Sequence, residues 1–109
     1  MESRRQSKVS RLLQRELGEI FQRSSYSGAM VTITMVRISP DLSFAKVYLS
    51  IFPENLKEKA FERIQSNGWE IRKKLGMRVR NQLRIVPELV FFIDDSFEYS
   101  ERIDELLNS

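Results

Sequence analysis

The sequence predicts an α+β domain in the order α-β-β-α-kink-α-β, with a three-stranded sheet, the helices on one face and a short C-terminal helix. Three observations predict it. The chain opens on an apolar stripe at helical spacing, two β-branched runs flank a Ser39-Pro40-Asp41-Leu42 turn, and two helical patterns broken at residues 66–68 separate the second run from the third. At 109 residues the chain has the size of one domain with one core, so residues 1–109 are read as a single unit.

From Val9 the apolar positions Val9, Leu12, Leu13, Leu17, Ile20 and Phe21 recur at helical spacing, with Arg4, Arg5, Lys8, Arg11 and Arg15 at or beside the stripe. Ser24, Ser25 and Gly28 end this basic amphipathic helix. VTITMVRIS, residues 31–39, is too rich in β-branched residues to read as anything but a strand. Its core parity changes from odd (Val31, Ile33) to even (Val36, Ile38), which predicts a β-bulge near Thr34 and Met35. The turn at 39–42 sends the next strand, residues 43–52, back antiparallel. Ala45, Val47, Leu49 and Ile51 form its core side, and Phe44, Lys46, Tyr48, Ser50 and Phe52 the other.

Pro53 closes that strand and opens a helix with Leu56, Ala60, Phe61 and Ile64 facing inward, up to the interruption Ser66-Asn67-Gly68. Helical spacing resumes with Ile71, Leu75 and Val79 inside and Lys73, Lys74, Arg78, Arg80 and Asn81 on other faces. The third strand is expected over residues 83–93, with Leu83, Ile85, Leu89, Phe91 and Ile93 on one side and Pro87 on a sheet edge. A crossover of two helices makes the second and third strands parallel neighbours, so the sheet order is one, two, three. Asp95 and Glu98, at capping-box spacing, precede Tyr99, Ile103, Leu106 and Leu107, which predicts a helix at about 95–108. This is the order of a type II KH-like domain.

A net charge of +3 conceals segregation along the chain. Residues 1–24 carry six positive and three negative side chains, residues 68–84 six and one, and residues 94–109 one and six. Clustering of this kind sets up local positive potential that attracts a polyanion, so the pattern favours nucleic acid. With no His and no Cys, the commonest general base, thiol nucleophile and metal ligands are absent, and no Gly-rich phosphate loop is present. No enzyme activity, cofactor or metal is expected. Asp94, Asp95, Glu98 and Glu101 are spaced as a helix start, and a divalent-ion site there is the lesser reading. The longest aliphatic or aromatic run, residues 89–93, is too short to span a membrane. Cysteine-free composition points to the cytoplasm.

The candidate RNA-binding residues are Arg72, Lys73, Lys74, Arg78, Arg80 and Arg84, six cations in thirteen residues without an acid, and the N-terminal set Arg4, Arg5, Lys8, Arg11 and Arg15. Ser66, Asn67 and Gly68 join them as a bend that is either RNA-facing or a plain helix turn. KH folds carry a Gly-x-x-Gly loop there, and this chain keeps Gly68 alone. A single tryptophan more often packs than stacks on bases, so Trp69 is placed in the core, with base stacking as the alternative. Phe44, Tyr48, Phe52, Val86, Val90 and Phe92 are expected on the far sheet face, covered by the acidic terminal helix or left open to a partner.

Specific strings also resemble a known family. ISPDLSFAKVYLSIF at 38–52, IRKKLGMRVRNQLRIVPELVFFIDDS at 71–96 and R-x-x-x-V-x-x-L-L-Q-R-E-L from Arg5 to Leu17 resemble ribosome-binding factor A, a bacterial assembly factor of the small ribosomal subunit. The resemblance implies a KH-like domain with an Ala-x-Gly kink, here Ser66-Asn67-Gly68 with Ser in place of Ala. It further implies a non-catalytic protein that binds 16S rRNA in free small (30S) subunits, supports late maturation and rRNA processing, and matters in the cold. Ribosomal proteins and assembly GTPases are further expected partners, and a monomer is expected. Two rival readings are a protein-interaction module using the aromatic sheet face and a divalent-dependent nuclease sensitive to Asp94→Ala.

Overall fold

The computed structural model describes residues 3–24 and 26–94, and the elements run α1 (Arg4–Arg23), β1 (Met30–Ile38), β2 (Phe44–Phe52), a 3-10 turn (Glu54–Leu56), α2 (Lys57–Ser66), α3 (Gly68–Val79) and β3 (Glu88–Ile93). The helix expected at about 95–108 lies outside the described residues. α1 begins ahead of the apolar stripe because Ser3 caps it. The Ser3 hydroxyl accepts from the Gln6 amide at 3.1 Å, and the Gln6 side-chain oxygen accepts from the Ser3 amide at 2.8 Å. Gln6 Nε2 also donates to the Ile38 carbonyl at 3.0 Å, pinning the helix start to the end of β1. Arg4 and Arg5 are therefore held in regular helix and do not belong to a frayed terminus.

The sheet has the order β1-β2-β3, with β1 antiparallel and β3 parallel to the central β2. Pairing runs from Met30 opposite Phe52 to Ile33 opposite Leu49, and resumes with Met35 opposite Tyr48. Thr34 is the extra residue of the expected bulge, and Ile33, Val36 and Ile38 all reach the core because of it. Thr34 Oγ1 donates to the Asp94 carboxylate at 2.6 Å, so the bulge is tied to the end of β3.

One face of the sheet packs on the helices. Ala45, Val47, Leu49 and Ile51 of β2 are buried in one cluster with Leu13 and Leu17 of α1, Ile64 of α2, and Ile71, Leu75 and Val79 of α3. Each fully buried Val, Leu or Ile side chain there is worth about 1.5–3 kcal/mol. Phe21 closes the end of α1 against Tyr26 and Phe91, at ring separations of 5.6 and 6.2 Å. Leu56 and Phe61 are only half-buried, leaving Ala60 and Ile64 as the inward residues of α2.

Four expectations change. β3 begins at Glu88 and not at residue 83, because the chain leaves α3 through a turn in which the amides of Gln82 and Leu83 both donate to the Val79 carbonyl, and Pro87 has no amide for the ladder. Pairing starts where Glu88 N–H reaches the Ser43 carbonyl at 2.9 Å. Pro87 is fully buried just ahead of the edge strand, while Ile85, expected on the core side, is 76% exposed. Val86 turns toward α3, where its Cγ2 lies 3.3 Å from the point a Cβ at Gly76 would occupy, so it is not on the aromatic sheet face. Trp69 is not in the core.

Candidate nucleic-acid interface

Helical geometry divides the cations that stand together in sequence. With Ile71, Leu75 and Val79 turned inward, Trp69, Arg72, Lys73 and Gly76 share one face of α3 through their i, i+3, i+4, i+7 spacing. Lys74, Met77 and Arg78 fall toward α1, where they line a shallow depression with Ile20 and Arg23. Arg78 is already engaged. Its Nε donates to Glu16 at 2.7 Å, and its terminal nitrogen pairs with Glu19. The Arg78 hydrogen bond holds the Glu16 carboxyl below its ordinary pKa, against the opposing effect of desolvation. Arg72 is engaged as well, donating from its guanidinium to the carbonyls of Val86 at 2.8 Å and Pro87 at 3.2 Å. Lys73, Lys74, Arg80 and Arg84 are exposed.

On α1, Arg4, Lys8 and Arg11 line one surface depression with Ser7. Arg15 lies beside Glu16 at 3.4 Å, which offsets its charge. Arg5 and Arg84 both line a cleft of about 450 Å³, with Val9, Leu42, Leu83 and Pro87 also on its walls. The two basic segments of the sequence thus meet in space. Residues 84, 85 and 87 line this cleft while Val86 lines the depression at Trp69, so the short link into β3 joins the α1 cations to those of α3.

Asp41 sits in the same cleft but braces a turn. Its carboxylate accepts from the hydroxyls of Ser39 and Ser43, each at 2.7 Å, and from the Ser43 amide at 3.1 Å. Those donors, Ser39 first, lower its pKa from 3.8 to about 2. A carboxylate so stabilised is a poor general base at neutral pH. Among the described residues no group of three or more acidic, His or Cys side chains is placed to hold a metal ion.

The bend has less freedom than a Gly-x-x-Gly loop would supply. Asn67 sits at φ −95 and ψ 10 with its amide donating to the Arg63 carbonyl, and Ser66 Oγ donates to the same carbonyl at 3.0 Å. Gly68 has no positive φ, and a Cβ there would meet nothing within 4 Å. A side chain would fit at Gly68.

Trp69 is 72% exposed, with Lys73 Nζ 5.3 Å from the centroid of its ring. The sequence carried a signal for this: position 69 lies two residues before Ile71, off the inward stripe Ile71, Leu75 and Val79. On the far sheet face, Tyr48 and Phe92 stack at 5.4 Å, and Phe52 is 70% exposed opposite Met30.

A KH-like helical hairpin bearing cations on separate faces, joined to a basic first helix, has the build of a protein that binds a polyanion. The chain belongs to the ribosome-binding factor A family, whose model matches residues 5–107. That family is non-catalytic. It is similar to the ribosome-binding factor A of Cytophaga hutchinsonii, 43% identical over 99% of this chain and 84% of the relative, and to that of Chlorobaculum tepidum, 43% identical over 96% and 89%. Among solved structures, the crystal structure of ribosome-binding factor A from Thermus thermophilus superposes with a TM-score of 0.71 at 27% identity, covering 81% of this chain and 93% of that one. A homology model of the Thermus thermophilus factor, fitted into a cryo-EM map of its complex with the 30S subunit, gives 0.70 at 26% identity over 87% and 97%.

Proposed function

We propose that this protein is a ribosome assembly factor that binds free small (30S) subunits through 16S rRNA and supports late maturation and processing of that rRNA, as a monomeric single domain in the cytoplasm. The observation that carries this reading is the meeting of the two basic segments at the Arg5 and Arg84 cleft, in a chain of the ribosome-binding factor A family. Cations spread along the α1 start, the 84–87 link and the outer face of α3 match a folded RNA backbone, where phosphates position the protein and shape is read in place of base sequence. By binding one rRNA arrangement more tightly than another, the domain shifts its population and leaves once the mature arrangement weakens the interaction. Activity in the cold follows from the longer life of misfolded RNA at low temperature. Assembly GTPases and ribosomal proteins are the further partners.

Sedimentation with small subunits, large subunits and whole ribosomes across a salt series tests this. Selective, salt-sensitive binding to free small subunits is expected, and equal binding to all three would overturn it. The exposed Phe52 and the Tyr48–Phe92 stack favour a second reading, in which the sheet face holds a protein partner. Salt-insensitive binding lost on Phe52→Ser would identify that mode.

A further inference from the structure

We propose that Trp69 is a stacking platform for one unpaired RNA base, with Lys73 taking the adjacent phosphate. The proposal rests on the RNA-binding role argued above and adds to it the kind of nucleotide bound. A large apolar ring gains most from burial, yet the chain's one tryptophan stands 72% exposed on α3 while smaller side chains fill the core beside it. Lys73 approaches the ring at 5.3 Å, and the high exposure of the indole leaves ring surface open.

The surroundings suit a flat base attached to a charged backbone. A depression of about 350 Å³ is lined by Trp69, Arg72, Lys73, Gly76 and Val86. Gly76, one turn beyond Lys73, carries no side chain to fill it, and Val86 supplies an apolar surface close to that glycine. The carbonyls of Val86 and Pro87 hold the Arg72 guanidinium in place as a fixed wall. Aromatic stacking beside cations is how proteins grip single-stranded nucleic acid, because an unstacked base of any kind offers a π face, whereas within a duplex both faces are covered by the neighbouring pairs. A polyanion is favoured over a protein segment here by Arg72 and Lys73 on the same face and Lys74 next to it.

The single tryptophan is its own reporter. Indole emission of the wild-type protein is measured during titration with an adenine homopolymer RNA, an equal-length strand with abasic positions, and a duplex RNA, while anisotropy of the labelled RNA reports binding separately. The single strand is expected to quench emission at least twofold, in step with its binding curve. The abasic strand and the duplex are expected to bind without quenching. Trp69→Ala is expected to weaken single-strand affinity about tenfold while leaving duplex affinity unchanged, and Trp69→Phe to restore most of the loss. Saturated RNA binding with unchanged emission overturns the platform and leaves the RNA-binding role standing. Failure to bind RNA or small subunits at all brings down both. Quenching by small-subunit proteins freed of rRNA, and not by RNA, overturns the proposal in favour of a protein partner.

Discussion

Arg78 and Lys73 carry the same charge on the same helix and serve different ends. Arg78 joins α3 to α1 through Glu16 and Glu19, and its side chain is largely covered, so Arg78→Ala is expected to cost about 1 kcal/mol in urea unfolding. Lys74→Ala, at an exposed position, is expected to stay within about 0.5 kcal/mol. Asp41 makes a pH-dependent contribution. Its folded pKa of about 2 lies below the ordinary 3.8, so the stability it adds is complete above about pH 4 and is lost as pH falls toward 2. Glu16, also lowered, acts in the same direction. Asp41→Asn is expected to flatten the decline of urea midpoint between pH 4 and pH 2; an unchanged decline would mean that the Ser39 and Ser43 hydrogen bonds do not persist in solution.

At the scale of elements, the helical hairpin is joined by a bend that any small residue could make. Gly68 lies at the first position of α3 without a positive φ and with open space where a Cβ would go. Gly68→Ala is therefore expected to raise stability by about 0.5 kcal/mol in urea unfolding, through helix propensity and a less flexible unfolded chain. A loss of stability would mean that the bend needs backbone freedom. The β1 bulge was legible in the sequence because strand sidedness is a local alternation, and the change from Ile33 to Val36 breaks it. The start of β3 was not. Residues 83–86 alternate as a strand does, but the Val79 carbonyl and the Arg72 guanidinium take up that stretch, and those partners belong to another element.

For the whole molecule, the expected signature is electrostatic. Replacing Arg5, Lys8, Lys73 and Arg84 with Glu, none of which is ion-paired within the described residues, is expected to preserve the fold. The log–log salt slope for small-subunit binding is expected to fall by about 3 in magnitude, at roughly 0.7–0.9 for each phosphate left without its cation. The same change made at Arg78 confounds binding with stability.

Element order through β3, sheet order, the bulge, the inward faces of α1 and β2, and the Ile71, Leu75 and Val79 stripe of α3 were determined by the sequence alone, since each follows from steric preference and periodicity over a few residues. The family was legible there too, in strings that span most of the chain. Which cations remain available was decided only by tertiary structure. Arg78 meets a carboxylate 62 positions away, Arg72 is held by the link into β3, and Arg5 and Arg84 come to line one cleft. Trp69 was left outside because α3 turns Ile71, Leu75 and Val79 to the sheet, and one helix face can be buried there at a time.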